Sequence, residues 1–347
     1  MSKLVITGGN GFIGHHLIEH FLKNSDFIID NIDKMSYAAC GLDRVKDINV
    51  FDNKRVNFYA TDITRPLSDG ILQECGDAEY ILHVAAETHV DNSITNPLSF
   101  VYANIVGTAN MLEFARKCPN LKAFVYFSTD EVFGPAMAYD MNDEDGGGYT
   151  LTKYHTYKEW DRYNATNPYS ATKAGAEQLC LSYMNTYGLP GFIIHCMNAF
   201  GERQHPEKFI PLVIRKIKHG ETVMIHSDKE GTKAGSRFYI HARNIANAVD
   251  FLMKNFKQRE MYNIVGEKEL TNLELAQMIA DIMGKQLTYA MIDFHSSRPG
   301  HDLRYSLDGS KMASMGWVTP LTIEESLRNT VNWTLNHEKW LYVGGKK

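Results

Sequence analysis

The chain opens on a segment that leaves it few folds to choose from. A short apolar strand, Leu4 to Thr7, runs straight into Gly8-Gly9-Asn10-Gly11-Phe12-Ile13-Gly14 and then into an amphipathic helix that reaches about Lys23. The first glycine permits a tight turn and the second lets a phosphate approach the backbone. The third lets helix and strand pack closely, and the helix N-terminus adds partial positive charge. A glycine triplet in this strand–turn–helix setting predicts a pyrophosphate-binding turn.

The rest of the chain repeats the pattern. Phe27 to Ile32, Val56 to Ala60, Tyr80 to Ala86, Ala123 to Ser128 and Gly191 to Cys196 read as buried strands. A helical stretch from about Pro97 to Lys117 lies among them, and another helix starts at Asn167-Pro168, where Asn caps and Pro suits the first turn. Strands alternating with helices predict an α/β fold, a doubly wound parallel sheet of Rossmann type. After Asn198 the pattern loosens. Short strands are expected near Thr222 to His226 and Ser236 to His241, with helices near Asn244 to Asn255, Thr271 to Met283 and Ile323 to Asn336. The expected division is a dinucleotide-binding domain over 1–197, with about 238–258 returning to it, and a smaller mixed α/β lobe over 198–347. The polar stretch from Pro135 to Tyr163, Gly-rich at Asp143 to Gly148, predicts a surface loop over the site mouth.

Bulk properties narrow the partners. With 347 residues, 44% hydrophobic and 22% charged, the chain has the composition of a soluble globular protein. A net charge of -5 gives no bulk attraction to nucleic acid or anionic membrane. The five cysteines are widely spaced with no C-x-x-C pair, so neither a disulfide framework nor a zinc site is expected. The opening enters a strand at once, and no apolar run is long enough to span a bilayer. A cytoplasmic setting is the expectation.

Asp33 ends the second strand about twenty residues beyond the last glycine, where a carboxylate binds the adenosine ribose hydroxyls. An acid there favours NAD over NADP, although neighbouring Lys34 pulls the other way. Asp62, after the third strand, suits the adenine edge or an exposed turn equally well.

Tyr169 and Lys173 stand four residues apart, hence on one helix face. A phenol of ordinary pKa about 10 is a poor base at neutral pH, and a nearby ammonium favours its phenolate. Tyr169 can then take a hydroxyl proton while hydride leaves the same carbon. Ser128-Thr129-Asp130-Glu131 closes the fifth strand, at the carboxyl edge where open α/β sheets bind ligands. Thr129 can bond the reacting hydroxyl. Two adjacent carboxylates exceed what simple oxidation or epimerisation needs, but they suit an elimination. One abstracts a carbon-acid proton beside a new ketone, and the other, kept protonated, donates to departing hydroxide.

Together these residues resemble the nucleotide-sugar branch of the extended short-chain dehydrogenases, and within it the dTDP-glucose 4,6-dehydratases. The likeness covers almost the whole chain through TGGNGFIG, NIDKMSYA, HVAAETHVDNSI, NIVGT, STDEVFG, NPYSATKAGAEQL, HPEKFIP and RPGHDLRYSLD. The Thr-Asp-Glu triplet is its specific mark. The resemblance implies that Thr129, Tyr169 and Lys173 oxidise C4 of a hexose with NAD as acceptor. Glu131 then removes the C5 proton, Asp130 protonates the leaving C6 hydroxyl, and hydride returns to C6. It places Gly8, Gly11, Phe12, Ile13, Gly14, Asp33, Lys34, Ser36, Asp62, Ile63, Ala85, Ala86, Thr88, Asn104 and Ser128 around the cofactor, beside Tyr169 and Lys173. It assigns His89, Asn198, Lys208, Arg237, Arg298 and Tyr305 to the substrate, arginine suiting a diphosphate through its planar fork. It also implies a homodimer through helix faces near Asn104 to Ala115 and Ala174 to Tyr187.

The chain departs from that pattern at Thr222 to His226, at Ala199-Phe200-Gly201-Glu202-Arg203, over Asp228 to Arg237 and at Phe238-Tyr239-Ile240-His241. All are expected in the nucleotide-facing lobe. The base therefore stays open among dTDP, UDP, CDP and GDP. A 4-epimerase or decarboxylase would use Tyr169 and Lys173 without losing water, and a non-catalytic NAD-sensing regulator is the alternative outside enzymes.

Overall fold

A computed structural model describes residues 2–140, 150–293 and 303–342. Its centre is a seven-stranded, all-parallel sheet of β1 (Lys3–Thr7), β2 (Ile28–Asp33), β3 (Val56–Ala60), β4 (Tyr80–His83), β5 (Ala123–Thr129), β6 (Gly191–Cys196) and β7 (Glu260–Ile264). The order is β7-β6-β5-β4-β1-β2-β3, so the winding reverses between β1 and β4. That reversal opens a crevice at the carboxyl ends of those two strands.

Side chains alternate between two cores. Leu4, Ile6, Ile29, Phe192 and Ile194 face α1 (Phe12–Asn24), whereas Val5, Ile81, Phe124 and Ile193 face the other way. On that second face the chain is helical from Pro97 to Ala115, with Val101–Val106 wound as π-helix before α2 (Gly107–Ala115). The longest helix, α3 (Pro168–Thr186), lies beside it. Asn167 caps α3 as expected, its side chain accepting from the Ser170 N–H at 2.9 Å while Ser170 bonds back to the cap.

The six expected strands are present, and the seventh was not foreseen. This strand interleaves polar Glu260 and Asn263 with apolar residues, and Asn263 is fully buried and bonded to His195 of β6 at 3.0 Å. Beyond β6 the chain forms α4 (Phe209–His219), α5 (Ala242–Asn255), α6 (Asn272–Met283) and α7 (Ile323–Asn336). Helix α5 packs on α1, with Ile245, Val249 and Leu252 entering the first core. The other three enclose a separate core of Ile210, Val213, Leu275, Ile279, Leu327 and Val331. Short pairs join this region to the sheet, notably Ala199–Phe200 beside Ile240–His241. The stretch from Pro135 to Tyr163, expected as a surface loop, is in part a hairpin, Met137–Asp140 pairing antiparallel with Thr150–Tyr154; residues 141–149, which include Asp143 to Gly148, lie outside the described residues.

Candidate active site

A cavity of about 520 Å³ runs from the glycine turn, across the carboxyl ends of β1, β4 and β5, to the N-terminal ends of α4 and α6. Gly8 adopts φ +72°, and a Cβ there would lie 2.8 Å from the Ala85 backbone. At Gly14 a Cβ would meet the Gly8 carbonyl oxygen at 2.1 Å. No side chain caps α1, so its first turn is presented to the cavity by Gly11 and Phe12. These features form a cradle for a phosphate.

At the far end of β2, Asp33 accepts from the backbone N–H groups of Asn10 (3.0 Å) and Met35 (2.6 Å). Burial raises its carboxyl, and those two bonds partly offset the effect. Lys34 pairs with Glu87 at 2.7 Å, which ties its charge down across the cleft. The residues expected around the cofactor line this end of the cavity, with two exceptions. Asn104, in the π-helical turn, is buried one layer behind. It receives the Glu87 N–H at 2.9 Å and donates to Glu87 O and Thr172, so it braces the Ala85–Thr88 wall instead of touching the space. Lys173 is likewise behind the wall, its ammonium donating to Phe127 O at 2.6 Å and lying 4.2 Å from the Tyr126 ring.

The reactive groups converge at the end of β5. Thr129 donates to Asp130 at 2.9 Å and accepts the Glu131 N–H at 3.4 Å. Asn198 donates to the other oxygen of Asp130 at 3.3 Å. Glu131 receives the Asn167 amide at 3.2 Å, so the cap of α3 also steers this carboxylate. Burial pushes the Asp130 carboxyl up to about 6, with Thr129 and the Arg237 charge acting against it. Burial and then the Glu131 charge hold the Tyr169 phenol well above its ordinary value, with neighbouring Thr129 acting against them. Lys173 is lowered to about 8 by burial, and the Glu177 charge opposes that shift.

His89, Asn198, Lys208, Arg237 and Tyr305 line the opposite end of the cavity; Arg298 lies outside the described residues. Arg237 is buried, donates to the carbonyls of Ser236 (2.6 Å) and Leu303 (2.5 Å), and stacks over Tyr305 at 4.5 Å.

The sequence reading missed Arg44, Glu177, His205 and Glu207. Buried Arg44 donates to the carbonyls of Asn10, Ala38 and Arg203, pinning the glycine turn to two distant segments. No motif marks it. Glu177 was findable, since it continues the Tyr169–Lys173 face by another four residues. One expectation needs correction. Glu202 and His241 do not face the nucleotide end; they bond to each other at 3.0 Å, and His241 packs edge-on against His16 of α1 at 5.5 Å. Two departures thus match an unusual histidine on the cofactor helix.

The family model for GDP-mannose 4,6 dehydratase matches residues 5–330. The chain belongs to the GDP-mannose 4,6-dehydratase family. Within this dehydratase family, the dTDP-glucose 4,6-dehydratase of Salmonella typhimurium is 35% identical over 98% of this chain and 94% of its own length. Among solved structures, the dTDP-glucose 4,6-dehydratase of Streptomyces venezuelae was crystallised with NAD and a second ligand bound. It superposes with a TM-score of 0.82 at 30% identity, over 97% of this chain and 98% of that one. A UDP-N-acetylglucosamine 4-epimerase from Methanobrevibacter ruminantium reaches a TM-score of 0.80 at 24% identity, covering 97% of this chain and 99% of its own. The fold is therefore shared between dehydratases and epimerases, and chemistry must be argued from the side chains.

Proposed function

We propose that this protein is an NAD-dependent NDP-hexose 4,6-dehydratase, a hydro-lyase acting on dTDP-glucose or UDP-glucose to form the 4-keto-6-deoxy sugar. The observation that carries the reading is the Thr129-Asp130-Glu131 corner, buried at Thr129 and Asp130, that lines one cavity with Tyr169, with Asp130 raised to about 6 and thus able to hold a proton. NAD fits the cradle of Gly8, Gly11 and Gly14 with Asp33 at its ribose end, and when bound it accepts hydride from C4 and returns it to C6.

The chain's own residues manage protons. Tyr169 takes the C4 hydroxyl proton, with Thr129 orienting that hydroxyl and Lys173 supplying positive charge from behind. Glu131, steered by Asn167, removes the C5 proton made acidic by the 4-ketone and gives a proton back to C5 when hydride reaches C6. Asp130 delivers its proton to the departing C6 hydroxide, and Asn198 and Thr129 hold the carboxylate left behind. Arg237 binds the diphosphate with Lys208 and Arg298, while residues 1–197 with about 238–258 hold the cofactor and 198–347 the nucleotide.

Two further features belong to the proposal. Leu98 and Tyr102, 64% and 58% exposed, stand one turn apart on the helical run beside α3 and suit a homodimer contact. Among the described residues no helix is long and apolar enough to cross a membrane, in keeping with a cytoplasmic enzyme.

The test is incubation of the purified protein with dTDP-, UDP-, CDP- and GDP-hexoses without reductant, read by mass and proton NMR. Loss of one water with a new C6 methyl is the expected outcome. An epimer or a decarboxylated sugar would replace this reading with a sister activity.

A further inference from the structure

Behind the catalytic wall lies a buried polar cluster that the mechanism above does not use. Glu177 is fully buried on α3, one turn beyond Lys173 and two beyond Tyr169. Its Oε1 receives the Ser128 hydroxyl and its Oε2 receives the Tyr163 hydroxyl, while His195 Nε2 stands 3.2 Å from Oε2. The other nitrogen of His195 faces Asn263 Oδ1 at 3.0 Å. The Asn263 amide nitrogen is already donated to the carbonyls of Tyr157 and Asp308, so that oxygen is fixed toward the ring. Ser128 and Tyr163 thus both donate to Glu177, as a buried carboxylate requires.

Lys173 shows the converse. A buried ammonium needs a counter-charge, and among the described residues its one hydrogen bond is to a neutral carbonyl, Phe127 O. The titratable groups that face it come from four elements. His83 on β4 is held neutral, its imidazole lowered to about 3 by burial. From β5 comes Tyr126 and from β6 Cys196, both pushed up by burial, the thiol to about 12. On α3 itself stand Tyr169 and Cys180, also raised by burial, and Glu177. Of these, Glu177 is the one carboxyl group, and its charge opposes the lowering of Lys173.

We propose that Glu177 is a positioning residue for the redox half-reactions: it is the counter-charge that keeps Lys173 an ammonium, and it turns the Ser128 hydroxyl proton away from the cavity. Ser128 then presents lone pairs, not a proton, to the cavity it lines. The inference rests on the dehydratase reading for its purpose, but its physical content belongs to the ligand-free protein.

The test is therefore made first without substrate. Lysine labelled with carbon-13 at the ε-carbon is titrated by NMR, the Lys173 signal being assigned by its loss in K173M. E177Q is expected to lower the Lys173 midpoint by about one unit or more, the size of shift an opposite charge nearby produces, and E177D to restore it. Y163F is the milder partner should E177Q fold poorly. It takes one donor from the same carboxylate, concentrates the remaining charge and moves the midpoint upward. Single-turnover NADH formation with dTDP-glucose should follow, its alkaline limb shifting to lower pH in E177Q. A Lys173 midpoint unmoved in both E177Q and Y163F would overturn the proposal. Absence of NADH in the unaltered protein with every sugar nucleotide would instead overturn the dehydratase reading, leaving the NMR result intact.

Discussion

Asp130 and Glu131 are neighbours in sequence but sit in different surroundings, and this is what divides their roles. Glu131→Gln is expected to leave C4 oxidation intact, so that NADH accumulates on the enzyme while water loss stops; dehydration at the normal rate would remove Glu131 from the role of base. For Asp130 the sign follows from its environment. Burial raises the carboxyl to about 6, so the acid form needed to protonate a leaving hydroxide declines as pH climbs beyond that value. Elimination measured in single turnovers should fall between pH 6 and 9, approaching about tenfold per unit, and Asp130→Asn should be slow and flat over the same range. Its deficit in elimination is expected at about a hundred- to ten-thousand-fold, exceeding any deficit in oxidation. These residues were legible because local spacing carries them: a triplet at a strand end, a pair on one helix face. Arg44 was not, since its role arises only where Asn10, Ala38 and Arg203 come together.

At the scale of elements, α1 combines a phosphate cradle with an unusual interior. His15 and His16 are buried in its first turns, rings 4.0 Å apart, with Nε2 of His15 and both nitrogens of His16 unbonded. Burial drives both well below the ordinary histidine value. Because the folded state keeps them neutral, the stability they permit is complete above about pH 6.5, where unfolded histidine is neutral too. It is lost as pH falls below that point, approaching about 1.4 kcal/mol per unit for each ring until the folded values are reached. Urea unfolding at pH 7, 6 and 5 should show this decline, and His16→Leu should lessen it; an unchanged slope would mean the rings find protonated partners in the fold. The helix itself was plain from its period, but the partners of His16 were not. Glu202 and His241 are distant in sequence and read as nucleotide-facing substitutions until folding brings them under α1.

At the scale of the whole molecule, alternation of strand and helix disclosed six strands and the site at their carboxyl ends. It did not disclose the edge strand, because β7 lies past Asn198, where the alternation loosens, and joins the sheet only by pairing with β6. The exposed pair Leu98 and Tyr102 gives a prediction at the same scale. Light scattering of the Leu98→Glu, Tyr102→Glu double variant should report a monomer where the unaltered protein reports a dimer, and a dimer in both would place the contact elsewhere.

The order of the sheet also bears on how the protein is made. Strand β6 leaves the ribosome with Phe192 and Ile194 already in place, yet the strand that covers its open edge, Glu260–Ile264, is translated only after the whole Asn198 to Arg259 excursion. At roughly 5–20 residues per second that interval lasts on the order of 3–14 s. For those seconds the nascent chain carries an unpaired, apolar sheet edge, the kind of surface that recruits chaperones or neighbouring nascent chains.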